Sequence, residues 1–422
     1  MVKIKVVLFG TSVLFVTVYL ALFYISHGET NLTNGIKRLI QNETKWGLLA
    51  YISAITGTQK EPTSCPDILK YMPRGHWKTR LVTSEEHIEM KTFLQRARTQ
   101  HLLPPSLQRT DGKCGNVTFD NLKKGFHNLL WFRALCDPYG ATPCCHQNVC
   151  TNHNVSQCAC DDCYDMRQTI NAEHASWVPD NRACSIPERN NTEMCDILNK
   201  MKIIFIGDSF IRHVYLAFLL LLRNNTLDGG MSKYITKGQH DRCVGLYMFT
   251  EKECRGLIDM YPSLCNGNTF LQLKEYNSLP VAANISRLIR SVSNQRNTIC
   301  IIGQGIHDNY DHARLWSQLL FPILRHRKSF NLTWPKIVWA APHAPGMLKT
   351  PRVPEQSHAS VIKFTDHIGT YLSKWDIPVF DSFNLTDGVN SFDGAHYGLG
   401  VNLIKAKILI EYIRELRSRE KS

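Results

Sequence analysis

The chain has 422 residues, of which 43% are hydrophobic and 20% charged. This excludes an intrinsically disordered chain and allows one large domain, or two ordinary ones, with an anchor and a stem. A net charge of +13 is either a general basic bias or a sign of anionic partners such as acidic glycans or lipid headgroups. Because the basic residues do not alternate with aromatic residues in any stretch, we expect no nucleic acid partner.

The N-terminus predicts membrane insertion. Lys3 and Lys5 precede residues 6–26, a run of 21 residues without a charge, which is long enough to cross the membrane as a helix. No small-residue cleavage site follows, so we expect an uncleaved signal anchor. The lysines place residues 1–5 in the cytosol, which makes a single-pass type II protein with its body in the lumen of the secretory pathway.

Glycosylation motifs agree with a lumenal body. Asn-x-Ser/Thr sequons are acceptor sites for N-glycans on the surface of secretory proteins, and they occur along the whole chain. The nine sequon asparagines are Asn31, Asn42, Asn116, Asn154, Asn190, Asn224, Asn284, Asn331 and Asn384.

Cysteines are concentrated in one segment. Seven of the 15 cysteines fall between residues 136 and 163, which predicts a disulfide-rich segment in an oxidising compartment. The spacing of Cys160 and Cys163 also fits a zinc site, but no second pair stands at the required distance, so we expect no bound metal. Cys300 lies in an apolar run and is expected to be a buried free thiol, leaving fourteen cysteines for up to seven disulfides.

Composition and periodicity divide the lumenal part into three segments. Residues 27–113 have little sustained periodicity and are predicted to form a stem with a few packing helices. Residues 114–199 form the cysteine-rich segment, which is expected to pack on the catalytic domain. Residues 200–422 alternate apolar strand-like runs with helical patterns, which predicts an α/β domain with a mostly parallel sheet and helices on both faces. The predicted strands are 202–206, 298–302, 336–341 and 377–380, and the predicted helices are 210–223, 313–326, 357–375 and 401–416.

Gly207-Asp208-Ser209 stands where the first predicted strand meets a helix. This places the Ser209 hydroxyl at the carboxyl edge of the sheet and at a helix N-terminus, where backbone N–H groups can stabilise an oxyanion. The same tripeptide also fits an ordinary helix N-cap, in which Ser or Asp satisfies free N–H groups.

Asp393-Gly394-Ala395-His396 stands before the last helix. A nucleophilic serine needs a base, and the base needs an orienting carboxylate. His396 is therefore predicted to take the proton of Ser209, and Asp393 to hold the imidazole of His396. The alternative is a plain Asp-Gly turn with a surface histidine.

Together these motifs resemble the SGNH (GDSL) hydrolase superfamily and, more narrowly, its PC-esterase branch. That branch includes the trichome-birefringence-like O-acetyltransferases, the lumenal domain of sialic acid O-acetyltransferase, and the neurexophilin-and-PC-esterase proteins. Trp177-Val178-Pro179 with Cys184, Ser209-Phe210-Ile211-Arg212 and Asp393-Gly394-Ala395-His396-Tyr397-Gly398 are also similar to that branch. The resemblance covers roughly Cys114 to the C-terminus. It implies a flavodoxin-like three-layer fold, a Ser-Asp-His triad and acyl-ester chemistry on glycans in the Golgi.

One departure from the superfamily concerns the donors that stabilise the oxyanion. The segment that follows the strand at 298–302 lacks the Asn of the family pattern, and Gly303, Gln304 and Gly305 are the candidate replacements. His307 and Asp308 are candidate substrate contacts. A second glycine block is assigned to Gly229-Gly230.

Arg212 has two interpretations. Arg212 would form a structural salt bridge or bind a carboxylate or hydroxyl of a sugar, because guanidinium suits both tasks.

The leading hypothesis is a lumenal serine enzyme that transfers or removes O-acetyl groups on glycans. No cofactor is expected to stay bound; a transferase would need a lumenal acetyl donor, such as one derived from acetyl-CoA, or a membrane partner that supplies the acetyl group. The alternative is a catalytically silent SGNH-like protein that binds glycans or a receptor. A lipid esterase is a third option, given the range of the superfamily.

Overall fold

The α/β architecture is visible in a computed structural model that describes residues 64–119 and 132–420. The strands are β1 Gly75–Thr79, β2 Cys144–His146, β3 Val149–Thr151, β4 Tyr164–Asp165, β5 Ala175–Pro179, β6 Lys202–Gly207, β7 Phe270–Glu275, β8 Thr298–Gly303, β9 Lys336–Ala340 and β10 Val379–Phe380. The helices are α1 Ile68–Tyr71, α2 Ser84–Gln100, α3 Asn191–Ile197, α4 Ser209–Leu222, α5 Lys237–Cys243, α6 Ala282–Ser291, α7 His312–Leu315, α8 Phe321–Ser329, α9 His358–Ser373, α10 Phe383–Thr386 and α11 Leu399–Arg419. A π-helical stretch, Trp316–Leu320, joins α7 to α8.

A five-stranded parallel sheet forms the centre of the fold. Its strands lie in the order β10-β9-β8-β6-β7, and every pairing is parallel. The first strand of the sheet, β6, therefore lies between the second and the third, which is the order of flavodoxin-like sheets. The order reverses between β6 and β8, and in open α/β sheets such a point leaves a crevice at the carboxyl ends of the strands.

Helices cover both faces of this sheet because its strands are apolar on both sides. Ile203 and Phe205 of β6 face a core that α4 and α11 close. Ile204 and Ile206 face the opposite core, which α6, α8 and α9 close. Strands buried on both faces read as continuous apolar runs, which is why the sequence predicted β6, β8 and β9.

The predicted parallel sheet is confirmed, and one of its strands was not predicted. β6, β8, β9 and β10 lie within two residues of the predicted ranges. The edge strand β7 was missed because only alternate residues, Leu271 and Leu273, are buried, while Phe270 is half exposed. Period-two alternation over so short a run is a weak signal.

The cysteine-rich segment contains a small antiparallel sheet in the order β3-β2-β4. The disulfides of the described residues are Cys65–Cys184, Cys114–Cys145, Cys136–Cys150, Cys144–Cys158, Cys160–Cys163, Cys195–Cys265 and Cys243–Cys254. Cys300 is buried and free. Both the predicted disulfides and the predicted free thiol are confirmed, and Cys160 and Cys163 are bonded to each other.

The described part of the predicted stem packs on the α/β body. Residues 64–113 belong to the same compact unit as the sheet. β1 pairs with β5 in antiparallel register, and a disulfide joins Cys65 to Cys184. Neither residue 113 nor residue 200 is therefore a boundary of the folded unit. The sequence missed this because strand pairing and cystine connectivity over such distances leave no local pattern.

The predicted membrane anchor, residues 6–26, and the tail, residues 1–5, lie outside the described residues. Among the helices in residues 64–119 and 132–420, none combines the length and the apolar character that a membrane crossing needs.

The disulfides should differ greatly in their effect on stability. Replacing Cys65 and Cys184 by alanine should lower the free energy of unfolding by about 2–5 kcal/mol, because this bond closes a loop with a sequence separation of 119 residues. Removing Cys160–Cys163, separated by only 3 residues, is the matched control and should cost far less. Denaturant unfolding of both double mutants measures the difference; equal losses would contradict the loop argument.

Candidate active site

The nucleophile candidate lies where β6 turns into α4. Ser209 is the first residue of α4, and Asp208 is its N-cap, whose carboxylate accepts a hydrogen bond of 3.0 Å from the Phe210 N–H. Since Asp208 fills the capping role, the Ser209 hydroxyl is left for another partner. At Gly207, with φ of 156°, a Cβ would lie 1.8 Å from the carbonyl oxygen of Gly303, so the turn requires glycine.

A continuous hydrogen-bond chain joins Ser209, His396 and Asp393. His396 Nε2 lies 2.6 Å from Ser209 Oγ, and His396 Nδ1 lies 2.6 Å from Asp393 Oδ2. The three residues come from two parts of the fold. Ser209 lies at the carboxyl end of β6, and His396 and Asp393 lie in the turn before α11. The structure therefore brings together the three residues that the sequence singled out, in the arrangement that a nucleophile, its base and an orienting carboxylate require.

The turn that carries Asp393 and His396 is fixed by its own backbone. Asp393 Oδ1 accepts hydrogen bonds from the N–H groups of Ala395, at 2.9 Å, and His396, at 2.7 Å. Ser391 Oγ accepts from Gly394 N–H and donates to the carbonyl of His396. Burial alone would raise the pKa of Asp393, but His396 and the backbone N–H group of Ala395 hold this pKa well below its usual range. Asp393 is thus a fixed anion.

His101 is a site residue that sequence analysis missed. Its Nε2 lies 3.5 Å from Asp393 Oδ2, and burial lowers the pKa of His101. His101 caps the C-terminus of α2, whose N-terminus carries a capping box between Thr83 and Glu86. The capping box in the sequence predicts the start of the helix. No local sequence pattern, however, predicts that the end of this helix places a histidine beside the triad.

Arg212 is structural, which decides between its two interpretations. It is 2% exposed and pairs with Glu251 and with Glu275, the latter at 2.5 Å. Arg255 shares Glu275 at 2.8 Å. A guanidinium that is already paired and buried does not offer itself to a sugar carboxylate. The few residues around Arg212 do not show which side of α4 is buried, so the sequence could not predict the structural role of Arg212.

Glu251 is the second residue that sequence analysis missed. Its carboxylate accepts a hydrogen bond of 2.7 Å from His213 Nε2 and lies 3.8 Å from His396 Nε2. Burial lowers the pKa of His396, but the carboxylates of Asp393 and Glu251 more than offset this, so the pKa lies above its ordinary value of 6.5. Glu251 thus favours the protonated imidazole that forms once His396 has taken a proton.

The candidate oxyanion donors surround the crevice at the ends of β6 and β8. The Ser209 N–H is at the first helical position, where no intrahelical acceptor exists. Gly303 ends β8 in register with Gly207. Gln304 is 3% exposed, and among the described residues neither atom of its side-chain amide has a hydrogen-bond partner. Gly305, with φ of 155°, leads into the next turn.

His307 is exposed and lies in the short 3-10 turn Ile306–Asp308 that follows Gly305. Asp308 accepts a hydrogen bond of 3.0 Å from the Leu279 N–H, so its role in the structure is to hold a loop.

The assignment of Gly229-Gly230 to the site is wrong. The carbonyl of Gly229 accepts a hydrogen bond from Arg223, the C-cap of α4, whereas Ser209 begins that helix. Gly229 therefore lies at the C-terminal end of α4, and Gly230 packs against Leu216, about two helical turns beyond Ser209. A Gly-Gly pair by itself indicates a turn, not its place in the fold.

The sequon asparagines of the described residues share one property, which is exposure. They are Asn116, Asn154, Asn190, Asn224, Asn284, Asn331 and Asn384. Asn31 and Asn42 lie outside the described residues. All seven side chains are thus accessible to solvent.

Comparison with family models gives no match, and neither does comparison with curated proteins. Among solved structures, a lipase/acylhydrolase from Enterococcus faecalis matches with a TM-score of 0.31 and 13% identity, over 51% of this chain and 96% of that chain. Similarity at this level assigns neither a family nor a function, so the function rests on the site itself.

The charge of Glu251 should appear in the pH profile. The base His396 must be neutral to act, so kcat/KM should fall as the pH drops through its raised pKa. Glu251→Gln removes a negative charge 3.8 Å from His396 Nε2, and the acidic limb should move to lower pH. A limb that stays in place would contradict the assignment. Glu275→Gln, which also removes a partner of Arg212, is the control and should leave the limb unmoved.

Proposed function

We propose that this protein is a lumenal serine acyl-ester enzyme of the SGNH type, close to the PC-esterase branch, which transfers or hydrolyses O-acetyl groups on glycans. The observation that carries the proposal is the hydrogen-bond chain Ser209–His396–Asp393, with both contacts at 2.6 Å. The sheet order and the position of Ser209 at the end of β6 support the flavodoxin-like three-layer fold of that superfamily.

In the acylation step, Ser209, His396 and Asp393 each have one role. Ser209 Oγ attacks the carbonyl carbon of the acyl donor, and its proton passes to His396 Nε2. Asp393 stabilises the resulting imidazolium, and the negative oxygen of the tetrahedral intermediate lies at the N-terminus of α4. The intermediate collapses, the bond to the leaving oxygen breaks, and that oxygen takes the proton from His396.

The second step resolves the acyl-serine. His396 removes a proton from water or from a sugar hydroxyl, and that oxygen attacks the ester carbon. The bond to Ser209 Oγ breaks, and Ser209 recovers its proton from His396. Water gives hydrolysis, and a sugar hydroxyl gives transfer. Neither route needs a bound cofactor, but transfer needs an acyl donor on the lumenal side, supplied by a membrane partner from acetyl-CoA.

The compartment belongs to the same proposal. We place the chain in the Golgi or another membrane of the secretory pathway, as a single-pass type II protein anchored by residues 6–26. The disulfides and the exposed sequons support a body that folds in an oxidising lumen.

The nucleophile can be tested by chemical labelling. Full-length wild-type protein treated with a fluorophosphonate should gain one covalent adduct by intact mass after deglycosylation, and Ser209→Ala should gain none. Ser382→Ala is the matched control, since Ser382 is also buried but takes no part in the triad. No adduct on folded wild-type protein would favour the silent binding protein instead.

The topology can be tested on protein made in cells. An endoglycosidase that removes N-glycans should shift the gel band, and Asn284→Gln should remove one increment of that shift, because Asn284 is exposed on α6. A band that does not move would contradict a lumenal body.

A further inference from the structure

His343, in the loop after β9, contacts both halves of the triad. Its ring stacks on the ring of Phe210, with the centroids 3.7 Å apart, and Phe210 directly follows the nucleophile Ser209. Its Nε2 lies 2.6 Å from the carbonyl oxygen of Ala395, which directly precedes the base His396. One side chain therefore contacts the first turn of α4 and the turn that carries the base.

The tautomer of His343 follows from its two hydrogen-bond partners. A carbonyl oxygen only accepts hydrogen bonds, so the Nε2 that lies 2.6 Å from the Ala395 oxygen carries the proton. Nδ1 then presents a lone pair, and Lys405 Nζ donates to it at 2.9 Å. Burial and the charge of Lys405 hold the pKa of His343 well below its ordinary value, so the ring stays neutral. Lys405 thus selects the tautomer that can hold Ala395.

Lys405 is a buried lysine that donates to an imidazole. It lies on α11, and it is 2% exposed. Burial lowers the pKa of Lys405 to about 7, although the charge of Asp208 partly offsets this effect. A lysine in such a place costs free energy that an apolar side chain of the same length would not, so packing alone does not account for it.

Neither His343 nor Lys405 is placed to touch a substrate. His343 is 4% exposed, and both side chains line a cavity of about 20 Å³ together with Asp208 and Gln304. A cavity of this size holds about one water molecule and no sugar or acyl group. The two residues can therefore affect the reaction only through the groups that they hold.

The group that they hold is the turn of the base. The N–H of Ala395 donates to Asp393 Oδ1 at 2.9 Å, and the carbonyl of Ala395 accepts from His343, so both backbone polar groups of this residue are fixed. The next residue is His396, whose Nε2 must stay within 2.6 Å of Ser209 Oγ to take its proton. A displacement of about 1 Å at such a contact can cost a hundred-fold in rate.

We propose that His343 is a positioning residue for the triad and that Lys405 orients His343 for this task. Through the stack on Phe210 and the hydrogen bond to Ala395, His343 sets the distance between the first turn of α4 and the turn of the base. The proposal rests on the proposed function, because the reaction whose rate it concerns is the acylation of Ser209.

The test measures the rate constant with which a fluorophosphonate labels Ser209 in the full-length protein in detergent. His343→Phe keeps a stacked ring but loses both hydrogen bonds, and it should slow labelling about ten- to a hundred-fold. Lys405→Met should slow it about ten-fold, because the tautomer is no longer fixed. His343→Gln, whose amide can replace both hydrogen bonds, should keep most of the rate. Lys407→Met, on the same helix but paired with Glu188 at 2.7 Å, is the control and should keep all of it.

Coupling between the two substitutions distinguishes positioning from a general loss of stability. If Lys405 acts through His343, Lys405→Met should cost no further rate in the His343→Phe background, whereas additive losses would contradict the orienting role. On a small acetyl ester, kcat should fall while KM stays unchanged, because neither residue touches the substrate. All rates are compared below the melting temperature of every variant. Should His343→Phe not fold, His343→Asn, whose amide is too short to replace both hydrogen bonds, takes its place against His343→Gln.

The outcomes separate this proposal from the proposed function. Labelling of the wild type together with equal labelling of His343→Phe would overturn the positioning role and leave the enzyme in place. Folded wild-type protein that takes no label would overturn the enzyme, and the positioning role with it. Slower labelling of His343→Phe and Lys405→Met, with retention in His343→Gln and Lys407→Met, would support both.

Discussion

The buried carboxylate of Asp393 is the constraint around which the site is organised. An isolated ionised carboxylate inside a protein is costly, so it persists only where partners and donors surround it. The imidazole of His396 and two backbone N–H groups of the same turn are the main partners and donors of the Asp393 carboxylate. His101, at the C-terminal end of α2, also contacts Asp393. The charge of Asp393 in turn acts on Lys349, and burial lowers the pKa of Lys349 to about 8. Parts of the chain far apart in sequence converge on one anion.

The sheet supplies the other half of the site. β6 and β8 run side by side in parallel, and Gly207 and Gly303 are opposite each other at the carboxyl ends. The approach is too close for a side chain, since a Cβ at Gly303 would also lie 2.7 Å from the Ala340 carbonyl. The backbone is therefore packed tightly under the nucleophile, which fixes the start of α4. At this position the Ser209 hydroxyl lies 2.6 Å from His396 Nε2.

What could be predicted from the sequence follows from which contacts are local. The apolar runs of β6, β8 and β9 are buried on both faces, so their pattern alone reveals them. The Gly-Asp-Ser turn and the Asp-x-x-His turn are also local, and their chemistry limits their partners. His101 and Glu251 could not be predicted, because each acts across pairings remote in sequence. Arg212 remained ambiguous for the same reason, since its carboxylate partners lie beyond α4.

The burial of the nucleophile bears on the choice between the two reactions that we propose, hydrolysis and transfer. Ser209 is only 6% exposed, so few water molecules at one time would reach the acyl-serine of the proposed mechanism. A sugar hydroxyl competes with water only when it is held in line with the ester carbon, and such orientation is worth effective concentrations far above those of any solute. In the proposed mechanism the acceptor is therefore chosen by what is held beside Ser209, because the triad itself treats the two oxygens alike.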